Sequence, residues 1–201
     1  MLKSDRWIRQ QAEAGMITPF QPELVRQVEA LYGGFPQKRP VLSFGCSSYG
    51  YDIRLDPHEF LIFRHVPGTV MNPKRFNKDN LETAKLLSDF DGQFFILPAH
   101  SYGLGVALER LEIPNDITCL FIGKSTYARM GVIANLTPGE AGWKGYLTLE
   151  FSNSSGADCR IYAKEGVVQA LFLQGEPCDV TYHDRAGKYQ DQPATVVTAR
   201  V

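Results

Sequence analysis

The chain has 201 residues, enough for one domain with a substantial core, and residues 1–201 are predicted to form a single domain. Its hydrophobic content of 44% and charged content of 21% are ordinary for a globular protein in water. A formal net charge of -1 gives no electrostatic reason for binding nucleic acid or a membrane, so neither is expected as a partner.

The N-terminal residues and the cysteines indicate the compartment. The first residues lack the apolar run of a leader peptide, and no stretch approaches membrane-spanning length. The four cysteines are dispersed and form no C-x-x-C pair, and a chain of this size does not need disulfides for its stability. These features favour a cytoplasmic protein with reduced thiols.

The first 35 residues are predicted to be the helical part of the chain. A capped helix is expected over residues 4–14, because a serine and an aspartate precede it and a glycine follows it. A second helix is predicted over residues 23–31, ended by two glycines. Residues 74–90 are polar and are expected to form either a short helix or a long surface loop.

From residue 92 onward, short apolar runs rich in β-branched and aromatic residues alternate with turn residues. Strands this closely spaced favour an all-β barrel or sandwich over parallel βαβ units. We therefore predict a mainly β fold, with helices at the N-terminal end and strands over residues 94–97, 102–108, 117–122, 132–134, 146–151, 159–162, 167–173 and 178–182.

Two features of the second half carry the chemistry. Residues 123–129 place a lysine, two hydroxyl side chains and an arginine close together, a combination that suits a polyphosphate. Glu150 is a lone carboxylate in an otherwise apolar strand, where its surroundings raise a carboxyl pKa toward the range of a general base. A glutamate on the outer face of an alternating strand is the simpler interpretation. The two features together predict a phosphorylated substrate and proton transfer.

Two other kinds of site do not match the spacing. Zinc deaminases carry His-x-Glu and Pro-Cys-x-x-Cys. Pro177 and Cys178 begin the second motif, but position 181, where its second cysteine would lie, is Thr181. A P-loop needs a glycine at position 118, which is Thr118 here. No histidine occurs in His-x-Glu, so we expect no zinc and no metal ligands from the chain; the histidines are His58, His65, His100 and His183.

Several motifs, in order, resemble the dCTP deaminase family of the dUTPase-like superfamily. The resemblance covers nearly the whole chain and implies a distorted β-barrel or β-clip core of the dUTPase-like type. It implies zinc-independent hydrolysis of dCTP to dUTP and ammonia, which supplies dUTP for dUMP and dTTP synthesis. A homotrimer with sites between subunits, Mg²⁺ bound through the substrate triphosphate, and dTTP as a candidate inhibitor are also implied. The motifs are residues 47–54, 123–129, 135–138, 142–146 and 149–153.

The resemblance also implies roles for individual residues. Glu150 is the implied catalytic base, with Arg129 beside it and Ser125 near the α-phosphate and the water. Thr137 and Pro138 lie on a turn whose backbone carbonyls bond the cytosine amino group, and Glu140 contacts the deoxyribose 3′-hydroxyl. The implied substrate-binding residues are Lys124, Ser125, Thr126, Tyr127, Ala128, Arg129, Thr137, Pro138, Glu140, Thr148, Leu149, Glu150, Gln169, Tyr182, Lys188 and Gln192.

The C-terminal segment and one loop leave alternatives open. Residues 183–201 are polar and are expected to form a mobile lid over the phosphates, the alternative being a solvated terminus. Gly139 and Ala141 replace larger or more rigid residues of the resembled loop. A bifunctional enzyme releasing dUMP and pyrophosphate, a dUTPase and a non-catalytic nucleotide-binding protein are the alternatives. We expect dUTP as the main product, because the loop around Glu140 holds a second water less firmly.

Overall fold

The computed structural model describes residues 1–64 and 66–201, with Tyr32 by its backbone alone, so His65 lies outside the described residues. The described chain is mainly β, as predicted, with one N-terminal helix α1 (Asp5–Glu13), a short helix α2 (Ser125–Ala128) and a 3₁₀ turn (Lys78–Asn80). None of these helices is long and apolar enough to cross a membrane. The strands are β1 (Ile17–Thr18), β2 (Val25–Tyr32), β3 (Phe35–Ser47), β4 (Gly50–Phe63), β5 (Leu81–Thr83), β6 (Leu87–Asp89), β7 (Gly92–Leu97), β8 (Tyr102–Glu112), β9 (Ile117–Gly123), β10 (Val132–Ala134), β11 (Lys144–Asn153), β12 (Cys159–Tyr162) and β13 (Gly166–Gln174).

Most strands belong to one antiparallel sheet with the order β10-β11-β8-β4-β13-β9. The register of the long strand β4 with β8 shifts between Leu55 and Phe60; residues 51–54 also pair with β13, and residues 61–63 also pair with β5. Two isolated bridges, Cys119 with Gly139 and Ile122 with Asn135, connect β9 to the chain that follows β10. The two ends of the sheet therefore approach each other, as they do in a distorted barrel. Strands β12, β7 and β6 form a smaller sheet.

Alternation along β11 decides which way Glu150 faces. Its odd-numbered residues from 145 to 153 are buried, while the even-numbered residues from 146 to 152 are half-buried. On the buried side Phe151 contacts Phe60, with ring centroids 5.7 Å apart, and Phe60 stacks on Phe95 at 5.1 Å. A Cβ atom at Gly103 of β8 would lie 2.7 Å from the Phe60 ring, so this packing requires a glycine there. The core thus fixes β11 from one side and leaves Glu150 on the other.

Buried ion pairs connect the strands to one another. Glu109 of β8 is fully buried and accepts hydrogen bonds from the Arg54 side chain at 2.6 Å and the Arg54 backbone at 2.9 Å. Burial raises the pKa of Glu109, and the Arg54 guanidinium opposes this shift. Glu165 likewise accepts from Arg39 at 2.8 Å, which attaches β3 to the core. These carboxylates are satisfied by their partners and serve the fold.

The prediction of a second helix over residues 23–31 is wrong. Residues 25–32 form strand β2, which pairs with β3 as a hairpin, so the first 35 residues contain one helix. Gly33 and Gly34 have φ values of 58° and 84°, and two consecutive residues with positive φ are typical of a tight hairpin turn. Gly33 and Gly34 therefore form the turn between β2 and β3 and do not end a helix. In the confirmed first helix, the Ser4 side chain makes no capping hydrogen bond.

Two further predictions are corrected. Residues 178–182 form bends and turns rather than a strand. The Thr181 amide donates to the Asp184 carboxylate at 2.9 Å, and the Tyr182 amide donates to the Ala141 carbonyl at 2.9 Å, so local partners take the place of a strand ladder. Residues 74–90 do hold a short helix, the 3₁₀ turn at Lys78–Asn80, but they also form the strands β5 and β6, which were not predicted.

Candidate active site

A cavity of about 360 Å³ lies on the less buried face of β8 and β11. Strand β11 contributes Thr148 and Glu150, strand β8 contributes Tyr102, and the chain after β10 contributes Thr137. Apolar side chains from β4, β8 and β11 line much of the remainder. Among the described residues that line the cavity, Glu150 is the one carboxylate. The cavity therefore surrounds a single acidic group with largely apolar walls.

The surroundings of Glu150 increase its affinity for a proton. Burial raises the pKa of this carboxyl because the charged form loses water, and a hydrogen bond from Tyr102 partly opposes the shift. Burial and the nearby charge of Glu150 raise the pKa of Tyr102 to about 12, so the phenol remains protonated and donates to the carboxylate. An acid with a raised pKa inside a cavity is suited to accept and return protons near neutral pH.

The C-terminal segment forms one wall of the cavity. The Gln192 carbonyl accepts from the Tyr146 amide at 3.0 Å, and the Gln192 side chain accepts from the Thr148 hydroxyl at 3.1 Å. The same hydroxyl accepts from the Val197 amide at 3.0 Å. Gly145 has a φ of 134°, and a Cβ atom there would lie 2.5 Å from the Gln192 nitrogen. A glycine is therefore needed where the segment meets β11.

The structure brings together some of the predicted substrate-binding residues. Glu150, Thr137, Thr148 and Gln192 all line the cavity. Leu149 is fully buried on the opposite face of β11, so only its backbone is available to a ligand. The four residues that line the cavity come from three separate parts of the chain, which the fold assembles around one space.

Other predicted residues lie at the rim or outside the cavity. Glu140 forms an exposed ion pair with Arg185, and Pro138 is exposed beside Thr137. The Tyr182 hydroxyl accepts from the Tyr189 amide at 3.0 Å and so supports the C-terminal wall. Lys188 is exposed, with its ammonium 5.3 Å from the centroid of the Tyr189 ring.

The predicted phosphate-binding segment does not reach the cavity of the same chain. Among the described residues that line the cavity, none comes from residues 124–129. The Lys124 ammonium instead bonds the buried Asp52 carboxylate and the Ser43 carbonyl, the latter at 2.8 Å. Gln169 donates to the same Asp52 at 3.2 Å. Exposed positions along and just after α2 are held by Ser125, Thr126, Ala128 and Arg129.

Tyr127 differs from its neighbours on α2, because its side chain is buried and its hydroxyl accepts from the Tyr162 amide at 2.9 Å. The ring fastens α2 to β12 and does not face a ligand. Lys124 and Tyr127 thus hold the segment in place, whereas the side chains between and after them point outward.

Sequence reasoning missed three residues of this arrangement. Tyr102 and Tyr189 line the cavity, and Asp52 holds Lys124. Tyr102 opens a predicted strand, but nothing local in the sequence shows that this strand pairs with β11. Asp52 belongs to the motif at residues 47–54, none of whose residues was predicted to bind the substrate.

A wider groove of about 840 Å³ lies beside the cavity and shares Phe63 and Tyr102 with it. Its charged residues include Arg64 and Glu82, which pair with each other across the groove at 3.8 Å. The smaller cavity is more enclosed and contains a carboxylate with a raised pKa, so it is the better candidate site. Within the described residues, no three His, Cys, Asp or Glu side chains lie close enough to hold a metal ion.

Comparison with known proteins shows the family of the chain and its fold. The sequence model of the dCTP deaminase-like family matches residues 2–175. The dCTP deaminases of Acidovorax sp. (strain JS42) and Acidithiobacillus ferrooxidans (strain ATCC 53993 / BNL-5-31) are each 47% identical over 193 residues, which is 95% of this chain and 95% of theirs. The solved 2′-deoxycytidine 5′-triphosphate deaminase from Agrobacterium tumefaciens has a TM-score of 0.53 at 17% identity, and the match covers 87% of this chain. This chain spans about half (48%) of that longer chain, and the likeness shows a shared fold.

Proposed function

The chain belongs to the dCTP deaminase-like family, and from this premise we propose that it hydrolyses dCTP to dUTP and ammonia. The observation that carries the proposal is Glu150, a carboxylate with a pKa raised by burial in a cavity of about 360 Å³. Cavities of about 300–1,000 Å³ are usual for small-molecule sites. Relatives 47% identical over 95% of both chains carry the name dCTP deaminase.

In the proposed mechanism Glu150 moves every proton. Its carboxylate takes a proton from water as the water oxygen bonds to C4 of cytosine, and it returns that proton to N3. It then takes the second proton from the new hydroxyl and delivers it to the amino group, which leaves as ammonia while the C4 carbonyl forms. One carboxyl can carry these steps when its pKa lies nearer neutrality than usual, as burial arranges here.

The phosphate side of the site is proposed to come from a second copy of the chain. Ser125 and Arg129 are exposed and absent from the cavity of their own subunit, which fits a homotrimer whose sites lie between neighbouring subunits. Arg129 would then orient the Glu150 carboxylate and the water of the adjacent subunit. Mg²⁺ is expected to enter bound to the triphosphate oxygens, which are its preferred ligands. We place the enzyme in the cytoplasm and keep dTTP as a candidate inhibitor.

Glu140 bears on the bifunctional alternative. Releasing dUMP and pyrophosphate requires a second water aligned with the α-phosphorus and an acid near Glu140 to activate it. The Glu140 carboxylate is paired with Arg185 at the surface, outside the Glu150 cavity. This pairing favours dUTP as the product, because the Arg185 guanidinium occupies the carboxylate that would have to bind the second water.

Incubation of the purified protein with Mg²⁺ and dCTP tests the proposal. We expect ammonia and dUTP in equal amounts by chromatography, without matching pyrophosphate. Glu150→Gln should keep nucleotide affinity and lose about 10²–10⁴-fold in kcat, since it preserves shape and removes the proton acceptor. Glu13→Gln, an exposed change on α1, is the matched control and should retain wild-type turnover. Ammonia release by Glu150→Gln within a few-fold of wild type would refute the mechanism, and pyrophosphate at the same rate as ammonia would establish the bifunctional enzyme.

A further inference from the structure

Tyr102 and Glu150 are diagonal neighbours on one face of the sheet. In the register of β8 and β11, Glu150 lies opposite Leu104 and Ser152 lies opposite Tyr102. Alternation places all four side chains on the same face. Diagonal positions in an antiparallel pair are about 7–8 Å apart, within reach of a tyrosine and a glutamate. Both side chains line the same cavity.

Aromatic packing fixes the Tyr102 ring. The ring meets Phe63 edge to face, with centroids 5.1 Å apart and planes at 83°. Phe63 is held in turn by Phe76, at 5.9 Å and 67°. Edge-to-face contacts are a preferred arrangement of aromatic rings. The packing of the ring therefore fixes the direction of the phenol hydroxyl.

The hydroxyl and the Glu150 carboxyl line the same cavity, and as a hydrogen-bond donor the hydroxyl lowers the pKa of that carboxyl against the effect of burial. Among the described residues that line the cavity, the titratable groups are Glu150, Tyr102 and Tyr189, and none is a cation. The Tyr189 hydroxyl already accepts from the Arg200 amide at 3.3 Å. Burial and the Glu150 charge raise the pKa of Tyr102 to about 12, so it remains a donor throughout the pH range of an assay.

We propose that Tyr102 is a positioning residue for the deamination, which holds one oxygen of the Glu150 carboxylate and leaves the other for the water. The inference rests on the proposed role of Glu150 as the base. A carboxylate has several acceptor positions, and one donor leaves the rest available. The hydrogen bond fixes the direction of the carboxylate and favours its charged form, against the effect of burial. A phenylalanine would fill the same space and supply neither effect.

Tyr102→Phe tests this role, because it keeps the ring against Phe63 and removes only the hydroxyl. Without the donor, the pKa of Glu150 rises further, so the base form is lost at a higher pH. We expect the acid limb of kcat/KM for Mg²⁺-dCTP to move up by about one pH unit. At neutral pH kcat should fall about tenfold, while KM changes less than about twofold. A ¹³C NMR titration of the Glu150 carboxyl in both proteins measures the same shift without turnover.

Tyr146→Phe is the matched control, because Tyr146 also lies on β11 and is not among the residues that line the cavity. It should leave the pH profile and kcat unchanged. The role of Tyr102 would be wrong if Tyr102→Phe shifted neither the acid limb nor the carboxyl titration of Glu150. If Glu150→Gln were inactive in the same assay, the proposed function would still hold. An active Glu150→Gln would overturn both.

Discussion

The Glu150 carboxyl lies half-buried among apolar side chains, and burial raises its pKa because the charged form loses water. The property that makes it a useful base also makes its charged form unfavourable in the folded protein. Tyr102 reduces this cost through its hydrogen bond and does not abolish it, since the net shift is upward. The stability of the fold should therefore depend on the protonation of this one residue.

Replacing Glu150 by glutamine is expected to stabilise the protein at pH 8. The folded state of the wild type binds a proton more tightly at Glu150 than the unfolded state does. The free energy of unfolding of the wild type therefore falls as pH rises through the window from the ordinary value of about 4.3 to the raised pKa. Glutamine does not titrate, so the advantage of the variant should be largest above that window and disappear below it.

Urea unfolding of both proteins at several pH values measures this difference. Glu13→Gln, which changes an exposed glutamate, should show no such trend relative to the wild type. A Glu150→Gln protein that is less stable than the wild type at every pH would mean that the hydrogen bond from Tyr102 outweighs the loss of water.

Helix α2 is held by a buried ion pair at its start. The side chains of Asp52 and Lys124 are 5% and 12% exposed, and Ser43 and Gln169 add hydrogen bonds to the pair. Side chains that are this enclosed are not available to a phosphate in this arrangement. The pair links β4 to the segment that presents Ser125 and Arg129, so we infer that Lys124 positions the segment.

Asp52→Asn is expected to destabilise the protein by about 3–5 kcal/mol, because it leaves the Lys124 ammonium buried without a counter-charge. Asp5→Asn, which breaks the exposed i,i+4 pair with Arg9, is the matched control and should cost no more than about 0.5 kcal/mol. Urea denaturation measures both changes. If Lys124→Ala left stability intact and raised only KM for dCTP, the phosphate-binding prediction for Lys124 would be right instead.

At the scale of the whole molecule, a single chain holds the carboxylate cavity and presents Arg129 outside it. Residues 124–129 do not line the cavity, although Gly123 packs against Ala134, whose strand pairs with Phe151 of β11. The exposed face of α2 is therefore free to meet a neighbouring copy. Closed cyclic assemblies commonly build such sites, since every copy then gives and receives the same contact.

Mixing two inactive variants tests a shared site. Glu150→Gln and Arg129→Ala subunits are unfolded together and reassembled in equal amounts. About three quarters of the resulting cyclic trimers should contain both variants, and each mixed trimer has one intact site in three. The mixture should therefore recover about a quarter of wild-type activity. Mixing Arg129→Ala with the double variant is the control and should recover nothing. Differently tagged subunits show whether the trimers are mixed. If mixed trimers have no more activity than either variant alone, the whole site lies within one subunit.

Prediction from sequence succeeded where the signal was local. The strands over residues 132–134 and 159–162 begin and end as predicted, and five more were found with ends one to four residues short. The second helix failed because Gly33-Gly34 is compatible with a helix end and with a hairpin turn, and only pairing with β3 distinguishes them. The predicted strand at residues 178–182 is absent because the Thr181 and Tyr182 amides donate to Asp184 and Ala141 instead of to a neighbouring strand.

The sequence by itself determined the mainly β class, the family motifs and the lone carboxylate at Glu150, because alternation and residue type are properties of short segments. Only the tertiary structure decided that Tyr102 faces Glu150, that Asp52 engages Lys124, and that residues 189–199 close the cavity. Each of these contacts joins segments far apart in the chain. Register between strands and the burial of charges depend on the whole fold, and a short segment does not contain them.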